Sequence, residues 1–321
     1  MRNLGSTNIK ISPIGLGCWQ FSSGTGLIGR FWKKLDDTTV REIVNISVKC
    51  GVTWFDTAEV YGWGASEEKL TLALDELASD SLTPIIATKW WPVLRSAKNI
   101  TKTIERRLSH LNGYPIDLYQ IHNPLSLSDL SNQLARMIEL QSEGKIRSIG
   151  VSNFSKKRML KSNQILKGKG NCLASNQVRY SLMDRRIEFN GLLESAKENN
   201  ITIIAYSPLE QGILTGKFHK NPDLIKSRTG PRKFMRAFTK KGLAKSLPLI
   251  QLLEKIAGKY SATASQIALN WTINFHGKTI VAIPGTTKPR QAEANARAMN
   301  IKMTQSEFDE INKISMRIAR L

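Results

Sequence analysis

The sequence predicts an α/β chain folded as a (β/α)8 TIM barrel, with an N-terminal β-hairpin and long loops at the C-terminal face. Three observations carry this expectation. Eight short apolar runs are spread along the 321 residues. Amphipathic segments of helical period separate them. No Pro/Gly/Ser-rich linker or composition break divides the chain, so residues 1–321 are expected to form one domain. Apolar runs without alternation are strands buried on both faces, and their regular exchange with helices favours parallel pairing. Eight such units in about this length fit a closed barrel better than an open doubly wound sheet.

The elements follow in order. "MRNLGSTNIKI" predicts a small hairpin over the barrel floor, and "ISPIGLGCW" the first barrel strand. "DTTVREIVNISVKCG" predicts a helix in which Asp37, Thr38 and Thr39 offer N-cap and first-turn chemistry and Gly51 closes the end. "VTWFD", "PIIATK" and "IDLYQIH" are strands two to four, separated by "SEEKLTLALDELA" and "SAKNITKTIERRLSHL". "LSDLSNQLARMIELQSEG" then leads to "IRSIGVSN", "CLASNQV", "ITIIAYS" and "TIVAIPG", with "NGLLESAKENN" before the seventh strand. Gly24, Gly26 and Gly29 spell GxGxxG, but the motif opens no helix and no acid follows at the right offset. These glycines are expected in a loop over the barrel mouth.

Composition narrows the function. The first residues contain no signal-peptide apolar core, and no window approaches a membrane span. Cys18, Cys50 and Cys172 are far apart and form no zinc spacing with the four histidines, so neither a disulfide framework nor a metal site is expected, and the reducing cytosol is the default compartment. The formal net charge is +21. Residues 217–245 hold ten basic residues against one acid, Asp223, and residues 155–169 hold six with none. Such an excess attracts polyanions. The patches lack interleaved aromatics for base stacking, so solvated faces are favoured over nucleic-acid binding.

Chemistry concentrates at strand ends. "VTWFD" ends on Asp56, "PIIATK" on Lys89 and "IDLYQIH" on His122, with Tyr61 on the loop above strand two. In a barrel these four meet at one rim. A buried carboxylate is costly without a partner, and Lys89 is the candidate. An ammonium beside a phenol is expected to pull its pKa down from about 10. His122 can hydrogen-bond a substrate oxygen. The group suits protonation of a carbonyl oxygen as hydride arrives from a cofactor.

With "GLGCW", "FDTAEVYG", "ATK", "DLYQIHNP", "IGVSNF", "AYSPLEQGILTGKF" and "IPGTTKPRQAEAN" in this order from Gly15 to Asn295, the chain resembles the aldo-keto reductase family. The resemblance implies NADPH-dependent reduction of aldehydes or ketones, with Tyr61 as proton donor and Asp56, Lys89 and His122 completing the tetrad. The same family includes cofactor-sensing subunits of channels, which stands as the alternative reading.

Ser152 and Asn153 end strand five and Gln177 ends strand six; their amide and hydroxyl groups suit a carboxamide, which the resemblance assigns to the nicotinamide. Tyr206 offers a face for ring stacking. Gly17, Cys18, Trp19 and Asp56 are implied as further contacts. So are Ser207, Pro208, Leu209, Gln211, Gly212, Leu214 and Lys217 near the pyrophosphate, with Ile283 and Gly285 opposite. Thr286, Thr287 and Lys288 lead into a helix near Pro289, a phosphate site implied to hold the 2′-phosphate together with Arg290. Gln291 and Asn295 are implied toward the adenine. The chain departs from common family residues at Ala294 and Asn123. Trp19, Trp63, Trp90 and Trp91 are candidates for the substrate wall. Residues 218–243 suggest a cationic lid over the cofactor, with Lys217, Arg228, Arg232 and Lys233 steering NADPH to the site.

Overall fold

The computed structural model describes residues 1–22, 24, 32, 34–77, 83–228 and 235–319. Gly26 and Gly29 of the glycine loop, and Arg232 and Lys233 of the expected lid, lie outside the described residues.

A hairpin of β1 (Arg2–Asn3) and β2 (Lys10–Ile11) pairs antiparallel and precedes eight parallel strands. These are β3 (Leu16–Gly17), β4 (Trp54–Asp56), β5 (Ile85–Trp90), β6 (Ile116–Ile121), β7 (Ile146–Ser152), β8 (Leu173–Arg179), β9 (Thr202–Tyr206) and β10 (Ile280–Ala282). They lie in sequence order, and parallel bridges Ile14 to Ala282 and Gly17 to Gly285 join the first to the last. The fold is a (β/α)8 barrel. Gly15 is required at this seam, because a Cβ there would lie 2.3 Å from the Trp54 indole.

Period-two alternation sorts each strand's residues between two cores. Trp54, Ala87, Leu118, Ala174, Ile204 and Val281 fill the barrel interior, where Leu4, Ile9 and Ile11 of the hairpin plug the floor. Phe55, Ile86, Tyr119 and Val151 face outward into the larger core beneath the helices. The same parity turns the residues that follow Trp54, Ala87 and Leu118 on the inner face toward the C-terminal mouth. These are Asp56, Lys89 and Gln120.

Several helices start on side-chain caps. Asp36, rather than the expected Asp37, caps Asp37–Lys49 by accepting the Thr39 N–H at 2.7 Å. Asp129 and Ser155 cap Leu130–Ser142 and Lys156–Lys167, and Thr263 and Thr304 form capping boxes. No helix among the described residues is long and apolar enough to cross a membrane.

Candidate active site

The ion pair expected from the sequence is present and enclosed. Lys89 Nζ lies 2.5 Å from Asp56 Oδ1 and donates to the Thr57 carbonyl at 2.8 Å, with both side chains buried. Two amides complete the carboxylate: Gln177 Nε2 donates to Asp56 Oδ2 at 2.7 Å and Gln120 Nε2 at 3.2 Å. Burial lowers the Lys89 ammonium from its ordinary value, and Asp56 opposes that shift.

Tyr61 sits above this pair. Its ring centroid is 5.1 Å from Lys89 Nζ, stacks on Trp19 at 5.9 Å, and meets the His122 ring edge-on at 5.7 Å. Backbone bonds from Tyr61 N–H to the Ala58 carbonyl and from Ser66 N–H to the Tyr61 carbonyl hold the loop. Asp56, Tyr61, Lys89 and His122 therefore do converge at one rim. Two details differ from expectation: β5 runs one residue past Lys89 to Trp90, and His122 lies just beyond the end of β6, its N–H bonded to the Trp90 carbonyl at 3.0 Å.

The direction of the tyrosine's pKa also differs. Burial, and then the negative charge of Asp56, push the Tyr61 phenol well above its usual value. The lowering expected from Lys89 does not prevail over this burial. His122 moves the other way. Burial, and then Lys89, hold the imidazole well below its usual value, so it is neutral at pH 7. Its Nδ1 is enclosed without a hydrogen-bond partner among the described residues. The ring is only half-buried, and Trp91 meets it edge-on at 5.2 Å. Of the candidate wall residues, Trp19 and Trp91 line the mouth and Trp63 is exposed. Trp90 faces the outer core, its indole bonded to Asn99 at 3.0 Å.

Ser152, Asn153, Gln177 and Tyr206 are also brought together. Ser152 Oγ donates to the Gln177 carbonyl at 3.0 Å. Asn153 Nδ2 donates to the His122 carbonyl at 3.2 Å, and Tyr206 donates to Asn153 Oδ1 at 2.9 Å. Asn153 adopts φ 61°, a left-handed turn that asparagine tolerates. Gln177 lies two residues before the end of β8 rather than at it. Gly17 is paired with Asp56 across the β3 and β4 ladder, and the Cys18 N–H donates to the Asp56 carbonyl at 2.8 Å. The Cys18 side chain is buried, which pushes its thiol up.

Beyond β9, Ser207, Pro208 and Leu209 lead into tight turns over Glu210–Thr215. Gln211 Nε2 donates to Ser207 Oγ at 3.1 Å, while Gln211 Oε1 is enclosed without a partner among the described residues. Gly212 takes φ 93°, and Leu214 is buried beneath the loop. Across the mouth, Ile283 packs into the barrel interior and Gly285 is exposed. Thr286 Oγ donates to the Lys288 carbonyl at 3.0 Å, and Lys288 is the N-cap residue of the helix Pro289–Arg297. Gln291 Oε1 accepts from Thr286 Oγ at 3.0 Å and from the Thr287 N–H at 3.2 Å, so it serves that helix's first turn. Asn295 is buried, facing an interior cleft with Leu16 and Pro284.

Four cations gather beside this helix start. Partial burial lowers the Lys217 ammonium, and the nearby Arg228, Lys288 and Arg290 lower it further. Arg228 stacks on Phe218 and Phe238, 5.1 and 4.5 Å from their centroids. Its Nε is enclosed without a partner among the described residues. Mutually repelling cations with an orphaned donor fit a polyanionic ligand such as a nucleotide phosphate.

Three contacts escaped sequence reasoning. Gln120 had a usable signal, since it shares strand parity with His122. Glu59, which accepts the Trp91 N–H and Arg95 Nη1, each at 2.6 Å, had none. Nor had the Arg179 to Glu210 pair at 2.6 Å. Both depend on partners more than thirty residues away.

Comparison with known proteins agrees with this fold. The sequence profile of the Aldo/keto reductase family matches residues 13–316. The chain belongs to the aldo/keto reductase family. An uncharacterised oxidoreductase of Mycobacterium tuberculosis is 36% identical over 308 residues, covering 94% of this chain and 88% of that protein. The NADH-specific methylglyoxal reductase of Escherichia coli is 27% identical, with 99% and 98% covered. The solved structure of a glycerol dehydrogenase from Gluconobacter oxydans superposes with a TM-score of 0.83 at 26% identity, covering 99% of this chain and 95% of that one. As an aldo/keto reductase, the protein is an oxidoreductase of carbonyl groups that works with a nicotinamide cofactor.

Proposed function

We propose that the protein reduces aldehydes or ketones to alcohols, with NADPH as its cofactor and Tyr61 as general acid. The observation that supports this most directly is the Tyr61 ring, stacked on Trp19 and met edge-on by His122, over the buried Lys89 to Asp56 pair. When bound, the nicotinamide would supply the hydride. The chain's own residues do the rest. His122 is neutral, and its enclosed Nδ1 favours placing the ring proton on Nε2, from which it donates to a carbonyl oxygen. Tyr61 keeps its proton until charge develops on that oxygen. The Lys89 ammonium then faces the phenolate being formed, and Asp56 fixes that ammonium in place.

Ser152, Asn153 and Gln177 would hold the carboxamide and Tyr206 the ring. Lys217, Arg228, Lys288 and Arg290 would hold the phosphates. The E. coli relative is named as NADH-specific, so cofactor choice is read here from the four cations: NADH lacks the additional 2′-phosphate that such a cluster suits. Binding of NADPH and NADH, followed by quenching of tryptophan fluorescence, tests this. NADPH should bind about tenfold or more tightly, as one added charge-assisted contact implies. Equal affinity would overturn the cofactor assignment.

A further inference from the structure

Gln120 is fully buried between two residues of the site just described. Its Nε2 donates to Asp56 Oδ2 at 3.2 Å, and its Oε1 lies 3.4 Å from Gln177 Nε2. Gln177 Nε2 also donates to Asp56 Oδ2, at 2.7 Å. An ionised carboxylate only accepts hydrogen bonds. Both glutamines must therefore turn nitrogen toward Asp56. Gln120 then offers its oxygen sideways to the Gln177 nitrogen, and the Gln177 amide is held from two directions. Only Gln177 Oε1 remains to meet a ligand, and it meets it as an acceptor.

We infer that Gln120 is a positioning residue that sets the direction of the Gln177 amide, so that the site takes a carboxamide and turns away a carboxylate at the nicotinamide end. This rests on the cofactor reading above. A carboxamide brings an N–H donor to Gln177 Oε1. A carboxylate in its place brings acceptor against acceptor beside the negative charge of Asp56, an arrangement that leaves polar groups unpaired. Gln120 touches neither the cofactor nor the substrate in this arrangement; it acts through Gln177 and Asp56.

Two substitutions separate positioning from packing. Gln120→Met fills the same space without either hydrogen bond. Gln120→Glu keeps the shape, and when protonated it keeps the pattern, its O–H donating to Asp56 and its other oxygen accepting from Gln177. Burial and the adjacent Asp56 charge would raise that new carboxyl far above the ordinary carboxylate range. Binding is measured with NADPH, with its deamidated form bearing a carboxylate, and with adenosine diphosphoribose 2′-phosphate, which lacks the nicotinamide altogether.

Gln120→Met is expected to weaken NADPH by about tenfold, narrow the preference over the deamidated form, and leave the nicotinamide-free fragment within about twofold. Fragment binding doubles as the check that the variant is folded. Gln120→Glu is expected to bind NADPH nearly as the unsubstituted protein does near pH 5.5 and to lose affinity toward about pH 8 as the new carboxyl ionises. Unchanged NADPH affinity in Gln120→Met, equal weakening of NADPH and fragment, or a Gln120→Glu profile parallel to the unsubstituted protein would each overturn the proposal. Failure of the unsubstituted protein to bind NADPH at all would instead bring down the cofactor reading and this proposal with it.

Discussion

Glu210 accepts from Arg179 at 2.6 Å, and this pair fastens the loop after β9 to the last residue of β8. The loop needs such a fastening. Ser207, Glu210 and Gln211 take φ values of 52°, 46° and 55°, in the left-handed region that side chains disfavour by about 1 kcal/mol each. The Glu210 carboxylate is buried, and Arg179 is about one-fifth exposed. A strained, enclosed turn held by an ion pair keeps a fixed shape beside the proposed cofactor site.

Replacing Arg179 by Met should therefore loosen the loop. The expected result is a loss of about 1–3 kcal/mol in denaturant unfolding and a cofactor affinity weakened several-fold, with the maximal rate at saturating cofactor little changed. Arg179→Lys should recover part of the stability. A variant that binds the cofactor like the unsubstituted protein would remove the loop from the binding account.

The cation cluster makes a salt-dependent prediction. Neutralising Lys217 or Lys288 to Gln should raise the NADPH dissociation constant about fivefold to tenfold at low ionic strength, with less effect on NADH, and the difference should shrink as salt screens the charges. Isothermal titration at two salt concentrations checks it. An equal loss for both cofactors would place the cluster away from the 2′-phosphate.

Acid should destabilise the protein in part through His122. Its folded pKa is depressed, so between that value and about 6.5 the unfolded chain binds a proton that the folded protein refuses. Stability then rises with pH across this window and levels off above it. The buried Glu67, pushed up to about 7, titrates in the same range, so the difference between two proteins carries the test. The stability of His122→Gln relative to the unsubstituted protein should improve as pH falls below about 6.5. A constant difference from pH 5 to pH 8, in urea midpoints, would contradict the depressed value.

The barrel was legible because it rests on local signals. Each strand is a short apolar run, and parity alone points Asp56, Lys89 and His122 to one mouth. Trp90 and Trp91 show the limit. Adjacent residues on a strand face opposite ways, and only the extension of β5 to Trp90 decides that Trp91 reaches the site. Asp37 was the expected cap from its place before the helical pattern, and the backbone geometry selects Asp36 instead. Tyr61's phenol was misjudged in direction because the sequence gives no measure of burial. Gln120 and the Glu59 contacts to Trp91 and Arg95 arise only when distant strands meet.

The central claim is that Tyr61 donates the proton. It is tested most directly by comparing Tyr61→Phe with the unsubstituted protein, given NADPH and a panel of reactive aldehydes, while reduced-nicotinamide absorbance is followed and NADPH affinity is measured in parallel. Turnover by the unsubstituted protein, with a loss of about 100-fold or more in the variant and NADPH affinity retained, is the predicted result. Equal turnover in the two proteins, or tight NADPH binding with no turnover by the unsubstituted protein, would contradict it; the latter would point to a cofactor-sensing role.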